Sequence, residues 1–177
     1  SSAADYWSGV IDLNSSSAAN IISLRTNTTN IDNLIQILSG TSTINDAAIY
    51  FVGSYVGNDE WGWDGNATMF NTQSNVDIHP INSNGVPNQF VSPTGTFSGV
   101  FAQEYYKLAW TAYAVALEDF NATNNMGNLY LYYNYQPWKG EQYDDAGIGV
   151  NKQLLMNDVS SFQFRAAGSL IKIQVCT

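Results

Sequence analysis

Alternating apolar and polar positions in the second half of the chain predict antiparallel strands. The segment EYYKLAWTAYAVALEDF (104–120) alternates in this way, with Tyr106 and Leu108 on one face. It also has a helical face, but NLYLYYNY (128–135) follows a short Asn-rich link and can pair with it. This pairing favours the strand interpretation.

The C-terminal segment LLMNDVSSFQFRAAGSLIKIQVCT contains two further alternating runs around a turn of small residues. We predict one turn of helix at LLMNDV, then a hairpin of strands 160–165 and 170–176 joined by AAGS. We expect this hairpin to be locked into the sheet, so that the chain ends without a loose edge. Apolar residues share a face within each strand, namely Phe162 and Phe164 in the first, and Ile171, Ile173 and Val175 in the second.

Cys176 is the only cysteine, so neither an intramolecular disulfide nor a cluster of thiolate ligands can form. We expect its side chain to be a small apolar group buried in the terminal strand.

The first half of the chain predicts one short helix and one strand. In TNIDNLIQILSG the residues Ile31, Leu34, Ile35 and Leu38 have helical spacing; Asn30 or Thr29 is the expected cap, and Gly40 the expected end. IISL upstream fits either a helix or a short strand, and DAAIYFVGSYV (46–56) predicts a strand. Residues 57–100 are rich in Gly, Asn, Pro and Ser and predict irregular surface, with short strands around Phe90 and Phe97.

Composition and charge narrow the class of protein. The 177 residues are 45% hydrophobic and only 12% charged, which predicts a single globular domain spanning 1–177 with a weakly charged surface typical of exported proteins. The net charge of −9 disfavours nucleic acid and anionic membranes as direct partners. No apolar run approaches the ~20 residues of a membrane span.

Four Asn-x-Ser/Thr triplets occur, and three of them have an aspartate two residues before the asparagine. They read DLNSS, DGNAT and DFNAT and centre on Asn14, Asn66 and Asn121, whereas Asn27 has Arg25 in that position. The pattern resembles the extended acceptor site of bacterial N-glycosylation, a periplasmic modification of certain ε-proteobacteria. Ordinary turn chemistry is the alternative explanation.

Few residues could support catalysis or bind a metal. The single histidine, His79, has no nucleophile motif beside it, and we expect it to lie at the surface. Two Gly-bearing loops carry clustered acids, and four of these are candidate calcium ligands: Asp59, Asp64, Asp144 and Asp145. Their spacing matches no EF-hand, so solvated loop acids are the simpler interpretation. Beyond calcium we expect no cofactor.

Aromatic residues suggest a second kind of site. Trp61, Trp63 and Trp138 could form a surface on which sugars stack, which would make the chain a secreted carbohydrate-binding or adhesive β-domain. The alternative is that aromatic residues form core and that Trp138, in PWKGE, anchors its loop. A third hypothesis is a small hydrolase that uses Asp59 or Asp64 opposite another acid.

The order of segments in the last seventy or so residues resembles the C-terminal sheet of minor pseudopilins and other type IV pilin-like proteins. YKLAWTAYAVALED, NLYLYYNYQPWKGE, LLMNDVSSFQF and GSLIKIQVC occur in that order. The likeness is to the J-type minor pseudopilin of type II secretion or to a pilin-like protein of ε-proteobacterial competence systems. The family pattern LL…V…F.F falls on Leu154, Leu155, Val159, Phe162 and Phe164.

This resemblance implies a pilin-like α+β fold, with an antiparallel sheet in the C-terminal half packed with a short N-terminal helix. It implies a non-catalytic minor subunit of a periplasmic pseudopilus or type IV pilus-like filament, used in protein secretion or DNA uptake. Its partners would be other pilin-like subunits and exported cargo. Members of the family begin with a hydrophobic membrane helix, which this chain lacks. We therefore expect the periplasmic domain of a protein anchored in the inner membrane.

Overall fold

The structure, a computed structural model, describes residues 7–53, 78–97, 99–145, 151–167 and 170–177. Over these residues the fold is α+β, with one α-helix and mostly antiparallel sheets, which confirms the coarse fold prediction. None of the helices in these ranges is long and apolar enough to span a membrane.

The chain divides into two compact units. The first comprises Ser1–Ala112 and Asn134–Gln142, and the second Tyr113–Tyr133 and Tyr143–Thr177. The sequence predicted one domain over 1–177, and that stays a prediction.

The described part of the first unit contains six strands: β1 (Ser8–Val10), β2 (Asn20–Ile22), β3 (Ala48–Phe51), β4 (Ile78–Pro80), β5 (Gln89–Val91) and β6 (Tyr105–Ala109). Four of them form an antiparallel sheet in the order β1-β6-β3-β4, with β1 at one edge, and β2 pairs with β5. Of the two options for IISL, the structure has the strand.

Helix α1 (Thr28–Ser39) begins earlier than its sequence predicts. Asn27 is the N-cap, and its side chain accepts a hydrogen bond from the backbone of Asn30, so Asn30 is a partner of the cap instead of the cap itself. Gly40 ends the helix with a left-handed φ of 76°, as expected. Leu38 is 56% exposed, so the buried face of the helix ends one turn before the run of helically spaced apolar residues does.

The core of the first unit draws on nearly every element in it. Segment 57–100 was predicted to be irregular surface, which holds for the exposed residues 84–87 and 93–96 but is wrong for Ile81, Phe90 and Phe97, which are buried. Phe90 lies in a strand as expected, whereas Phe97 lies in none. The core comprises Ile11, Ile21, Ile31, Ile35, Ile44, Ala47, Ile49, Phe51, Ile81, Phe90, Phe97, Tyr106 and Leu108.

Segment 104–120 forms two strands, β6 and β7 (Ala112–Asn121), where a single strand was predicted. Strand β8 (Met126–Tyr135) follows, then β9 (Lys152–Val159), and the three form a sheet in the order β7-β8-β9. The predicted helical turn at LLMNDV is wrong, since these residues lie in β9. Leu, Met and Lys are good helix formers, but hydrogen bonding to β8 outweighs that weak preference.

The C-terminal hairpin consists of β10 (Ser161–Ala167) and β11 (Leu170–Cys176). Its register places Phe162 opposite Val175 and Phe164 opposite Ile173. The hairpin itself was predicted correctly, but it forms a separate two-stranded sheet and is not locked into the larger one. Cys176 is only half-buried, so the expectation of a buried thiol is wrong.

Candidate functional site

Two of the three sequons with a preceding aspartate lie in the described residues, at Asn14 and Asn121, and both asparagines are exposed. Asp12 Oδ1 accepts hydrogen bonds from the backbone N–H groups of Asn14 and Ser15, each at 3.1 Å, and Ser16 Oγ donates to the Asp12 carbonyl at 2.7 Å. Hydrogen bonds from Ser15 hold the pKa of Asp12 below its ordinary value. The acid before Asn14 therefore has a structural role in this turn.

The acid before Asn121 is also hydrogen-bonded, but to the neighbouring strand β8. Asp119 Oδ2 accepts hydrogen bonds from Tyr130 Oη at 2.8 Å and Asn128 Nδ2 at 3.2 Å, and Asn121 Oδ1 accepts from the backbone of Thr123 at 2.9 Å. Turn chemistry thus accounts for the acid before Asn14, whereas Asp119 is an acceptor for side chains of strand β8. Glycosylation of Asn14 and Asn121 stays a prediction, and Asn66 lies outside the described residues.

Trp138 is a structural residue and not part of an exposed aromatic surface. Its side chain is only 4% exposed, and its indole Nε1–H donates to the carbonyl of Asp46 at 2.8 Å. Next to it, Lys139 forms an ion pair with the Asp46 carboxylate. Burial opposes ionisation of Asp46, but the bonds from Lys139 and Thr43 outweigh it and lower the pKa of this carboxyl. Trp138 therefore anchors its loop and cannot stack on a sugar.

Trp61 and Trp63, the other members of the predicted aromatic surface, lie outside the described residues, as do Asp59 and Asp64. Asp144 and Asp145 are exposed. Within the described ranges no group of three or more His, Cys, Asp or Glu side chains is placed to hold a metal ion. Calcium binding stays a prediction.

His79 was expected at the surface, and this is wrong. It lies in β4, is 3% exposed, and its ring centroid is 5.7 Å from that of Phe51. The apolar neighbours Ile78 and Ile81 gave the signal for a buried strand in the sequence, but Pro80 was interpreted as loop.

A polar network that the sequence did not reveal crosses the three-stranded sheet. Glu118 of β7 accepts hydrogen bonds from Tyr132 Oη of β8 and from Lys152 Nζ of β9, the latter at 2.9 Å. Lys152 Nζ also lies 4.4 Å from the ring centroid of Tyr130. Hydrogen bonds from Tyr132 and Lys152 lower the pKa of Glu118, and the bond to Glu118 raises that of Lys152. These contacts join all three strands and give both charges a partner.

A groove of about 1030 Å³ lies along the edge strand β1. Tyr106 lines the groove, and its hydroxyl lies 2.5 Å from Thr26 Oγ1. The charged side chains that line the groove are two acids, Asp12 and Glu104, and two bases, Arg25 and Lys107. Five large apolar side chains that line it are exposed: Val10, Leu13, Leu24, Val52 and Tyr105.

The C-terminal hairpin presents a second apolar surface. Every side chain that the structure describes between Gln163 and Val175 is exposed. On one face Phe164, Ile171 and Ile173 are 72%, 71% and 66% exposed, beside Phe162 and Val175. The sequence predicted that these residues share a face, but it also predicted that the hairpin belongs to the larger sheet.

The opposite face of the hairpin is polar and basic. Arg165 and Lys172 lie directly opposite each other across the two strands, an arrangement that costs free energy because the charges repel. Residues 161–176 contain no acid, so the hairpin carries a charge of +2. The whole chain has six cations and fifteen acids. Without the two cations of the hairpin, the remaining residues have four cations and fifteen acids, a net charge of −11.

Comparison of this chain with models of protein families, with curated proteins and with solved structures found no match. Its function is therefore inferred from its own residues and geometry.

Proposed function

We propose that this chain is a structural, non-catalytic subunit of a pilus-like filament in the cell envelope, and that it assembles through its C-terminal hairpin. The observation that carries the proposal is the exposure of an apolar face on both hairpin strands. A two-stranded hairpin is marginally stable in water by itself. Covering Phe164, Ile171 and Ile173 with another subunit would stabilise it and remove about 400 Å² of apolar surface from water.

The pilin-like part of the proposal is supported by the antiparallel C-terminal strands. The family pattern falls on two successive strands, with Leu154 and Leu155 in β9 and Phe162 and Phe164 in β10. A periplasmic location, other pilin-like subunits as neighbours and exported cargo as a transient partner belong to this proposal. Direct nucleic-acid binding does not, because the chain is strongly acidic.

A structural role also agrees with the carboxylates that the structure describes in detail. Glu118, Asp119 and Asp46 each accept hydrogen bonds from neighbouring side chains, which lower the pKa of all three. A general acid in catalysis needs the opposite shift, towards neutral pH. None of these three carboxyls is therefore suited to act as a general acid.

The proposal is tested by measuring assembly of the purified chain with light scattering and electron microscopy over a range of concentrations. We expect oligomers or filaments from the unmodified chain and their loss in the double variant Phe164→Ser/Ile173→Ser. Both side chains are mostly exposed, so the monomer should keep its circular dichroism spectrum. The control is Ile37→Gln, which replaces a helix residue that is 78% exposed. A chain that stays monomeric throughout would refute the proposal.

The cellular part has its own test. Antibodies against the chain should label envelope filaments of the producing cell by immunogold microscopy. Label confined to the cytoplasm would contradict the assigned location, whatever the purified chain does.

A further inference from the structure

We propose that the groove along β1 binds a short extended peptide with an apolar middle and free ammonium and carboxylate ends. All residues that line this groove belong to the first unit, and none of them belongs to the C-terminal hairpin. The proposal therefore goes beyond the structural role and does not depend on assembly. It follows from the order of the charges along the groove, from the apolar surface between them and from their separation.

The charged residues of the groove are sorted along β1. Lys107 lies opposite Ser8, the first residue of the strand. The carbonyl of Glu104 accepts a hydrogen bond from the N–H of Ile11 at 2.6 Å, just past the last residue of the strand, and Asp12 follows Ile11. A base therefore lines one end of the groove, and both acids line the other.

Arg25, the second base, lies towards the Lys107 end. It precedes Thr26, whose Oγ1 is 2.5 Å from the Tyr106 hydroxyl, and that hydroxyl lies against Gly9, next to the start of β1. Among the described residues, none of the four charged groups that line the groove takes part in an ion pair. The bases and the acids thus do not neutralise each other by direct contact, and all four can meet the charges of a ligand.

Exposed apolar side chains lie between the two charged ends. Val10 and Tyr105 are cross-strand partners and are 53% and 59% exposed. Val52 donates its N–H to the Tyr105 carbonyl at 2.8 Å, and Leu24 follows Ser23, whose Oγ donates to the Val10 carbonyl at 3.1 Å. The middle of the groove therefore offers a contact surface for apolar side chains.

The separation of the charges selects the ligand. From Ser8 to Asp12 the backbone covers roughly 10–13 Å, at about 3.3 Å per strand residue, and an extended peptide of about three or four residues has its terminal charges this far apart. Its carboxylate would meet the two bases, and its ammonium group the two acids. Such a peptide has no net charge, so the charge of −9 on the chain does not repel it. The groove, at about 1030 Å³, has room for it.

Calorimetric titration with the peptide Gly-Leu-Leu-Gly tests the proposal. We expect a Kd of about 1 mM or tighter for the peptide with free ends. Amidation of its C-terminus or acetylation of its N-terminus should each weaken binding about two- to fivefold, the range of exposed ion pairs. In Arg25→Gln/Lys107→Gln the free and the amidated peptide should bind equally, whereas acetylation should still weaken binding. Glu104→Gln should reduce the effect of acetylation and leave that of amidation.

The matched controls change exposed charges outside the groove. Arg165→Gln/Lys172→Gln removes two cations of the hairpin, and Asp144→Asn removes an exposed acid. Both should bind the free, amidated and acetylated peptides as the unmodified chain does, which separates contact with the groove from a change in net charge. Circular dichroism spectra check that each variant is folded.

Several results would overturn the proposal. One is equal binding of the free and the doubly capped peptide to the unmodified chain, a comparison that needs no variant. Another is an effect of amidation that is the same in Arg25→Gln/Lys107→Gln as in its matched control. Absence of binding up to roughly 10 mM peptide, or binding of the neutral sugar maltotriose in its place, would also overturn it. The filament proposal, which rests on the hairpin, is untouched by all of these results.

Discussion

Replacing Trp138 tests whether this residue is structural or part of a binding surface. Because the side chain is 4% exposed and its Nε1–H donates to the carbonyl of Asp46, Trp138→Ala removes a large buried ring and leaves that carbonyl without its donor. Truncation of a buried tryptophan costs about 3–5 kcal/mol of unfolding free energy. Trp138→Phe keeps most of the volume and should lose about 1–3 kcal/mol, mainly through the hydrogen bond.

The measurement is thermal unfolding followed by circular dichroism, since loss of a tryptophan would complicate fluorescence. For a unit of this size the alanine variant should lower Tm by roughly 10–20 °C, with the phenylalanine variant in between. Phe101→Ala is the control, because Phe101 is 73% exposed and its loss should change stability by less than about 0.5 kcal/mol. An alanine variant as stable as this control would show that the burial argument is wrong.

Two further outcomes follow from the hydrogen bonds and the packing. Because the folded-state pKa values of Glu118 and Asp119 are lowered, their contribution to stability is present above about pH 4 and lost as pH falls through the lowered values. An acid titration of the tyrosine near-ultraviolet signal should show this loss, and an identical titration of Glu118→Gln would contradict it. Gly9→Ala should cost about 1–3 kcal/mol in denaturant unfolding, because its Cβ would lie 2.6 Å from the Tyr106 hydroxyl; an unchanged midpoint would refute the clash.

Local features, which depend on residues close together in the sequence, could be predicted. The helix ends at Gly40 because a left-handed residue there needs no Cβ, and the C-terminal hairpin follows from two alternating runs around small residues. Alternation also identified β8. Strand β9 could not be predicted in the same way, because LLMNDV suits a helix locally and becomes a strand through hydrogen bonds to β8.

The candidate sites depended on contacts that sequence spacing does not report. Nothing in PWKGE shows that the Trp138 indole reaches Asp46, more than ninety positions earlier, and nothing near Glu118 points to Lys152. His79 looked exposed because Pro80 and the polar residues around it are typical of loops. In the structure His79 lies in β4, which pairs with β3, and it is 3% exposed.

The sequence by itself determined which residues of the hairpin share a face, because side chains alternate in any strand whatever surrounds it. Only the tertiary structure decided that this face is open, since exposure depends on which other elements pack against it. The same apolar pattern would have made a buried core strand had another part of the chain covered it. Here Phe164 and Ile173 lie at the surface.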